Sequence, residues 1–250
     1  MDNFDVCGVP VSALNLGEAC RQIDEWIKKK EQRYICIAPV ATIVDAQNDQ
    51  DYRKVVIGAS MVTPDGMPLV WIGRFKGNRH VGRTYGPDLL QALCKEGGTQ
   101  GYRHYFYGGT EKTSERLEIN LRKQFPNIRI TGRYVPDQQP IHFSEKKEIL
   151  EAIDQSGADI LWIGLGSPKQ DFWMAEHRHR LNVPVMIGVG AAFDFVAGTK
   201  PQAPRWMRQA GMEWFYRLCF EPRRLWKRYL IGNSQFIYYL LKSFLKKKDN

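Results

Sequence analysis

The chain has 250 residues, 43% of them hydrophobic, and a formal net charge of +9, which bounds it to one large domain, or a domain with an appendage, around a substantial core. No uncharged apolar run reaches the ~18 residues of a membrane-spanning helix, and residues 1–10 lack the layout of a signal peptide, so neither a spanning nor a secreted protein is expected. Five scattered cysteines (Cys7, Cys20, Cys36, Cys94, Cys219) show no metal-type pairing and read as reduced thiols of a cytoplasmic protein.

In chain order, residues 16–30 place Leu16, Ala19, Cys20, Ile23, Trp26 and Ile27 on one helical face behind an Asn15 cap. A strand over 34–38, closed by Pro39, precedes helices over 41–47 and 52–58; Thr42, in the first of them, is a candidate substrate contact. Asp49-Gln50-Asp51 between those helices matches the Asp-x-Asp pattern of divalent-metal sites in sugar-nucleotide enzymes. Its polar surroundings read instead as a solvated turn.

A short strand over 60–63 runs into Thr63-Pro64-Asp65-Gly66-Met67-Pro68. Pro64 and Gly66 pin the backbone on either side of Asp65 and set one carboxylate at the carboxyl end of a strand, where open α/β sheets bind ligands. The following helix, 67–75, is apolar nearly all round (Leu69, Val70, Trp71, Ile72), which predicts that the turn is anchored to the core. Arg79, His80 and Arg83 form a basic cluster before Tyr85-Gly86-Pro87-Asp88, where Pro87 starts a helix into 89–94. Arg83 is a candidate bidentate phosphate clamp. A strand over 102–107 then ends in Gly108-Gly109-Thr110, followed by a helix over 111–125 and a strand over 128–135. Ser144 is expected to cap a helix through 153.

Residues 158–173 (ADILWIGLGSPKQDFW) change character three times. The unbroken apolar run 160–163 suits a strand buried on both faces of a parallel sheet, and Gly164 and Gly166 permit a tight turn with close backbone approach. Pro168 opens a helix whose free amides and dipole favour an anion, with Lys169 as a mobile cation and Gln170 as a neutral donor and acceptor. A third glycine turn, Gly188-Val189-Gly190-Ala191-Ala192-Phe193-Asp194, follows the strand over 184–187. Repeated strand-turn-helix units predict an α/β, Rossmann-like, largely parallel sheet flanked by helices, and several such turns together imply a nucleotide-sized ligand. The third glycine and the ribose-binding acid of a dinucleotide fingerprint are missing, which argues against a nicotinamide-dependent oxidoreductase.

The charge is uneven: from Pro201 onward 11 Lys or Arg face 3 Asp or Glu, so +8 of the +9 lies in the last 50 residues, with 11 of the 30 aromatics. Short helices are expected over 203–210 and 212–220, then four cations within six residues (Arg223, Arg224, Lys227, Arg228). Residues 236–245 are too short to span a bilayer but long enough to lie in one leaflet. We therefore divide the chain into an α/β core over 1–200 and a basic, aromatic helical appendage over 201–250 that favours an anionic membrane surface. A nucleic-acid-binding module is the competing reading of the same tail. A terminal helix packed on the core, or a homo-oligomer that sequesters the tail, would also explain it.

Six segments together, Thr63 to Pro68, Tyr85 to Leu89, Tyr107 to Thr110, Gly164 to Gln170, Gly188 to Phe195 and Glu221 to Leu225, resemble the WecG/TagA/CpsF family of bacterial glycosyltransferases and occur in that family's order. The resemblance implies inverting, metal-independent transfer of a sugar, N-acetylmannosamine or its uronic acid, from a UDP-sugar to an undecaprenyl-diphosphate-linked sugar. No cofactor and no nucleic acid enter, and the enzyme works on the cytoplasmic face of the membrane. It also implies Asp65 as general base, Arg83 and Gln170 lining the site, and Arg217, Arg223, Arg224 and Arg228 as neutralisers of diphosphate. Substrate contacts are expected from Gly108, Gly109, Gly164, Gly166, Pro168, Lys169, Gly190, Phe193 and Asp194. Inverting transfer requires one base and stabilisation of the departing diphosphate, which these groups could supply. One departure stands out: Ile37-Ala38-Pro39 replaces the family's Thr-x-Asn, which leaves glucose or another hexose, as in capsule-type relatives, as the alternative donor.

Overall fold

The computed structural model describes residues 1–136 and 145–248. The chain opens with a hairpin, β1 (Asn3–Val6) and β2 (Val9–Ser12), followed by α1 (Leu16–Lys28), whose start is fixed by a reciprocal Asn15–Glu18 capping box. Next come β3 (Arg33–Ala38), α2 (Val40–Asn48), α3 (Gln50–Ile57), β4 (Met61–Pro64), α4 (Met67–Phe75) and α5 (Gly86–Gln100). They are followed by β5 (Arg103–Gly108), α6 (Glu111–Gln124), β6 (Arg129–Tyr134), α7 (Lys147–Gln155), β7 (Ile160–Gly164), α8 (Lys169–His177), β8 (Val185–Gly188) and α9 (Ala192–Ala197). The tail holds α10 (Arg205–Gln209), α11 (Glu213–Phe220), α12 (Pro222–Trp226), a π-helical turn (Lys227–Ile231) and α13 (Gly232–Lys248). Ser144, expected as a helix cap, lies outside the described residues.

β3 to β8 form one parallel sheet in the order β4-β3-β8-β7-β5-β6. The inner strands lack polar alternation because both of their faces are covered, while edge strand β6 is half exposed. Ile35, Ile37, Phe106, Ile160, Trp162, Val185 and Ile187 point into one core with α1, α5, α6 and α9. Their neighbours Tyr34, Cys36, Tyr105, Tyr107, Leu161, Ile163 and Met186 point into another with α7 and α8. Each fully buried aliphatic or aromatic side chain contributes roughly 1.5–3 kcal/mol, so the sheet is a rigid platform for what its carboxyl edge carries.

The expected α/β class and most elements are present. The hairpin was not foreseen, because its two strands are only four residues each and one contains Pro10. It lies along edge strand β4, where Ser12 Oγ accepts from the Val62 amide at 3.1 Å. Asp49 caps α3 by accepting from the amides of Asp51 and Tyr52, while Asp51 pairs with Lys54 at 2.8 Å. That is the chemistry of a helix start. α4 departs from expectation: Leu69 and Val70 are buried, but Trp71 is 53% and Phe75 81% exposed, so only one face of the helix anchors the Asp65 turn.

The tail is packed on the core over part of its length. Phe236 joins the cluster of the hairpin, α2 and α4, Tyr239 donates to Asn48 Oδ1 at 2.6 Å, and Leu225 and Glu213 are buried. Trp206, Phe215, Phe220, Trp226, Leu230 and Leu241 are exposed to solvent. Among the described residues no helix is long and apolar enough to cross a membrane.

Candidate active site

All six sheet strands end at the same edge, so Pro39, Asp65, Gly109, Gly166 and Gly190 are gathered along one rim. Asp65 is fixed there by its amide, which donates to Ala38 O at 3.2 Å, and by Thr84 N donating to Pro64 O at 3.0 Å. Gly66 then caps α4, with Pro68 in its first turn. Arg83, from the segment between α4 and α5, lies with its guanidinium 4.0 Å from the centre of the Tyr85 ring. Its Nε donates to the Asp65 carbonyl, and its Nη2 donates to Asp65 Oδ1 at 3.4 Å and to Glu213 Oε2 at 2.6 Å. Tyr85 Oη donates to the other Glu213 oxygen at 2.8 Å and accepts from Gln202 Nε2 at 3.2 Å.

The tail closes this corner into a cleft of ≈ 350 Å³. Its floor is Asp65 and Arg83; Arg208, Arg217 and Arg228 add positive charge, and Pro39, Val40, Met67, Trp214, Tyr229, Phe236 and Ile237 supply apolar wall. The π turn widens the helical rod where Arg228 and Tyr229 enter the cleft. Burial pushes the Asp65 carboxyl up from 3.8 to about 6; Arg83 and Arg217 oppose this, and Glu213 adds to it. Burial also works against the charge on Arg83, but Asp65 and Glu213 outweigh it and hold that guanidinium protonated. Asp65 therefore is ionised at neutral pH yet is a stronger base than an ordinary aspartate.

The glycine turns divide by role. A Cβ on Gly108 would lie 2.8 Å from the Gly164 backbone, and one on Gly164 would lie 2.4 Å from the Phe193 ring. These two glycines let strands β5 and β7 pack under Phe193, which is itself buried against Phe106. Gly109 closes onto the Gly164 carbonyl at 3.1 Å. Gly166, by contrast, has φ +79° and open space where a side chain would stand, and Gly190 sits against Gln170 and Gly166. Gln170 is buried, its Oε1 accepting from Gly166 N at 3.1 Å and its Nε2 donating to Ser167 Oγ at 3.3 Å, so it shapes the loop from within. Pro168 and Lys169 are exposed beside it.

Asp194 accepts from Thr113 and Thr199 and pairs with Lys200 at 3.4 Å, which ties α6 to α9. Thr42 is buried on α2. Arg224 pairs with Glu221, and neither it nor the exposed Arg223 lines the cleft. Of the replaced residues, Ile37 faces the core while Pro39 lines the cleft. Glu213, Tyr85 and Arg208 were not foreseen as site residues. The signal for Glu213 was present: it is one of only three acids in a tail of 11 cations. Among the described residues no three His, Cys, Asp or Glu side chains gather as a metal site.

The parallel sheet thus carries at its carboxyl edge a basic cleft that holds one carboxylate of raised proton affinity, where α/β enzymes bind their ligands. The Glycosyl transferase WecG/TagA/CpsF family matches residues 4–250, and the chain belongs to that family of glycosyltransferases. It is 31% identical over 188 residues to an N-acetylglucosaminyldiphosphoundecaprenol N-acetyl-beta-D-mannosaminyltransferase of Bacillus subtilis (strain 168), covering 74% of this chain and 70% of that one. It is 30% identical over 208 residues to the transferase of the same name from Bacillus spizizenii (strain ATCC 23059 / NRRL B-14472 / W23), covering 82% and 77%.

Proposed function

We propose that the chain transfers N-acetylmannosamine, or its uronic acid, from a UDP-sugar to an N-acetylglucosamine carried on undecaprenyl diphosphate, in the assembly of a cell-surface polymer. The observation that carries this reading is Asp65, raised to about 6, in a cleft with four arginines and a wall of apolar tail residues. Asp65 takes the proton of the acceptor hydroxyl; the freed oxygen attacks the anomeric carbon from the side opposite the departing UDP, which inverts that centre. Arg217 and Arg228 neutralise diphosphate charge, so the chemistry needs no metal. Gly166 leaves backbone room at the rim for the nucleotide. The apolar wall suits the first isoprene units of the acceptor, and the exposed aromatic and basic residues of the tail suit an anionic bilayer surface.

The test is a panel of UDP-sugars with a short-chain lipid-diphosphate N-acetylglucosamine, EDTA present, followed by UDP release and product mass. Transfer from an N-acetylmannosamine donor, with an inverted anomeric centre, is expected. Transfer only from UDP-glucose or another hexose would replace the donor; absence of UDP binding would remove the reading.

A further inference from the structure

Arg83 is the nearest cation to the carboxylate of Asp65, yet it is held mainly by something else. Its shortest side-chain contact with a carboxylate oxygen is 2.6 Å to Glu213, against 3.4 Å to Asp65. The remaining nitrogens are occupied too, Nε by the Asp65 carbonyl and Nη1 by Arg208 O at 3.4 Å. A guanidinium paired bidentately with Asp65 would make that carboxylate a weak base and cover its oxygens. Glu213 takes the strong pairing instead, and its second oxygen is locked by Tyr85 Oη, whose ring lies under the same guanidinium. Glu213 belongs to α11, the first turn of which is placed by the packing of Gly211 against Met67 and Trp71.

We propose that Glu213 is a positioning residue: it takes the strong pairing of Arg83 and so keeps that guanidinium from closing on the carboxylate of Asp65. This rests on the assignment of Asp65 as base. The tail then does more than wall the cleft: it brings the acid that sets the strength of the base.

The groups facing Asp65 are Arg83 from the segment after α4, Glu213 and Arg217 from α11, and Arg228 and Tyr229 from the π turn; Tyr85 donates to Glu213, and Arg208 lies over the Tyr85 ring. Removing the charge in Glu213→Gln keeps an acceptor for Arg83 and deletes one negative charge from this set. The Asp65 carboxyl should then titrate about one unit lower. The acidic limb of kcat/KM should move down with it, and the plateau kcat should fall on the order of tenfold.

The experiment is carboxyl-13C NMR of the full chain labelled at aspartate, with the Asp65 resonance assigned through Asp65→Asn, alongside transfer rates over pH 4–9. Glu213→Asp, which keeps the charge, should hold the midpoint close to wild type and recover most of the rate, and circular dichroism on the same samples reports the fold. A Glu213→Gln protein that is slow while its Asp65 midpoint stays put would overturn the proposal, since a purely structural Glu213 behaves that way. A midpoint that moves in a protein without transferase activity would support the coupling and refute the functional assignment instead.

Discussion

Replacing Asp65 by Asn should make the protein more stable at neutral pH while disabling it. The reasoning starts from the carboxyl, raised from 3.8 to about 6 because burial outweighs the attraction of Arg83. The folded state then binds this proton more tightly than the unfolded chain does. Well below pH 4 both states are protonated and Asp65 costs nothing. As pH rises from about 4 to 6 the unfolded state ionises first, so stability falls through that window and stays lower above it. A shift of about 2 units corresponds to roughly 3 kcal/mol, and in a chain of this length that is on the order of 6–12 °C in Tm. Asn resembles the neutral form, and Arg83 keeps its bonds to Glu213 and to the residue-65 carbonyl. Thermal unfolding of both proteins by circular dichroism at pH 4, 5, 6 and 8 gives the difference directly. Near equality at pH 4 that opens to a clear advantage for Asp65→Asn by pH 8 is expected. A difference independent of pH, or a wild type more stable at pH 8, would refute the claim that Asp65 is held in a site hostile to its charge.

Two further outcomes follow from packing and charge. Gly164→Ala places a methyl 2.4 Å from the Phe193 ring, next to a strand whose Gly108 already touches the backbone there, so a loss of about 1–3 kcal/mol in urea unfolding is expected; a neutral result would mean the two strands can separate freely. Making Trp226, Leu230 and Leu241 polar should release the protein from anionic liposomes, with the remaining binding falling steeply in salt, while leaving the Asp65 titration unchanged.

The inner strands of the sheet were legible because runs such as 160–163 lack polar alternation and lead into glycine-bearing turns, as expected where both faces are covered. Asp65 could be placed at a strand end for the same local reason, with Pro64 and Gly66 on either side. The partner that sets its chemistry could not: Glu213 lies 148 positions on, and nothing in its neighbours shows that α11 folds back onto Arg83. Gly108 and Gly164 looked like ligand turns, and their close contact with each other and with Phe193 gives them a packing role that spacing alone does not reveal. The basic, aromatic tail was visible as a composition shift, but its two sides, one buried on α2 and one exposed, depend on which face Phe236 and Tyr239 take.

The most direct test of the central claim is transfer by the Asp65→Asn protein on the lipid-linked acceptor, with UDP affinity measured on the same sample. Loss of about 10²–10⁴ in kcat with UDP binding within a few fold of wild type is predicted; turnover close to wild type would contradict the assignment of Asp65 as the base.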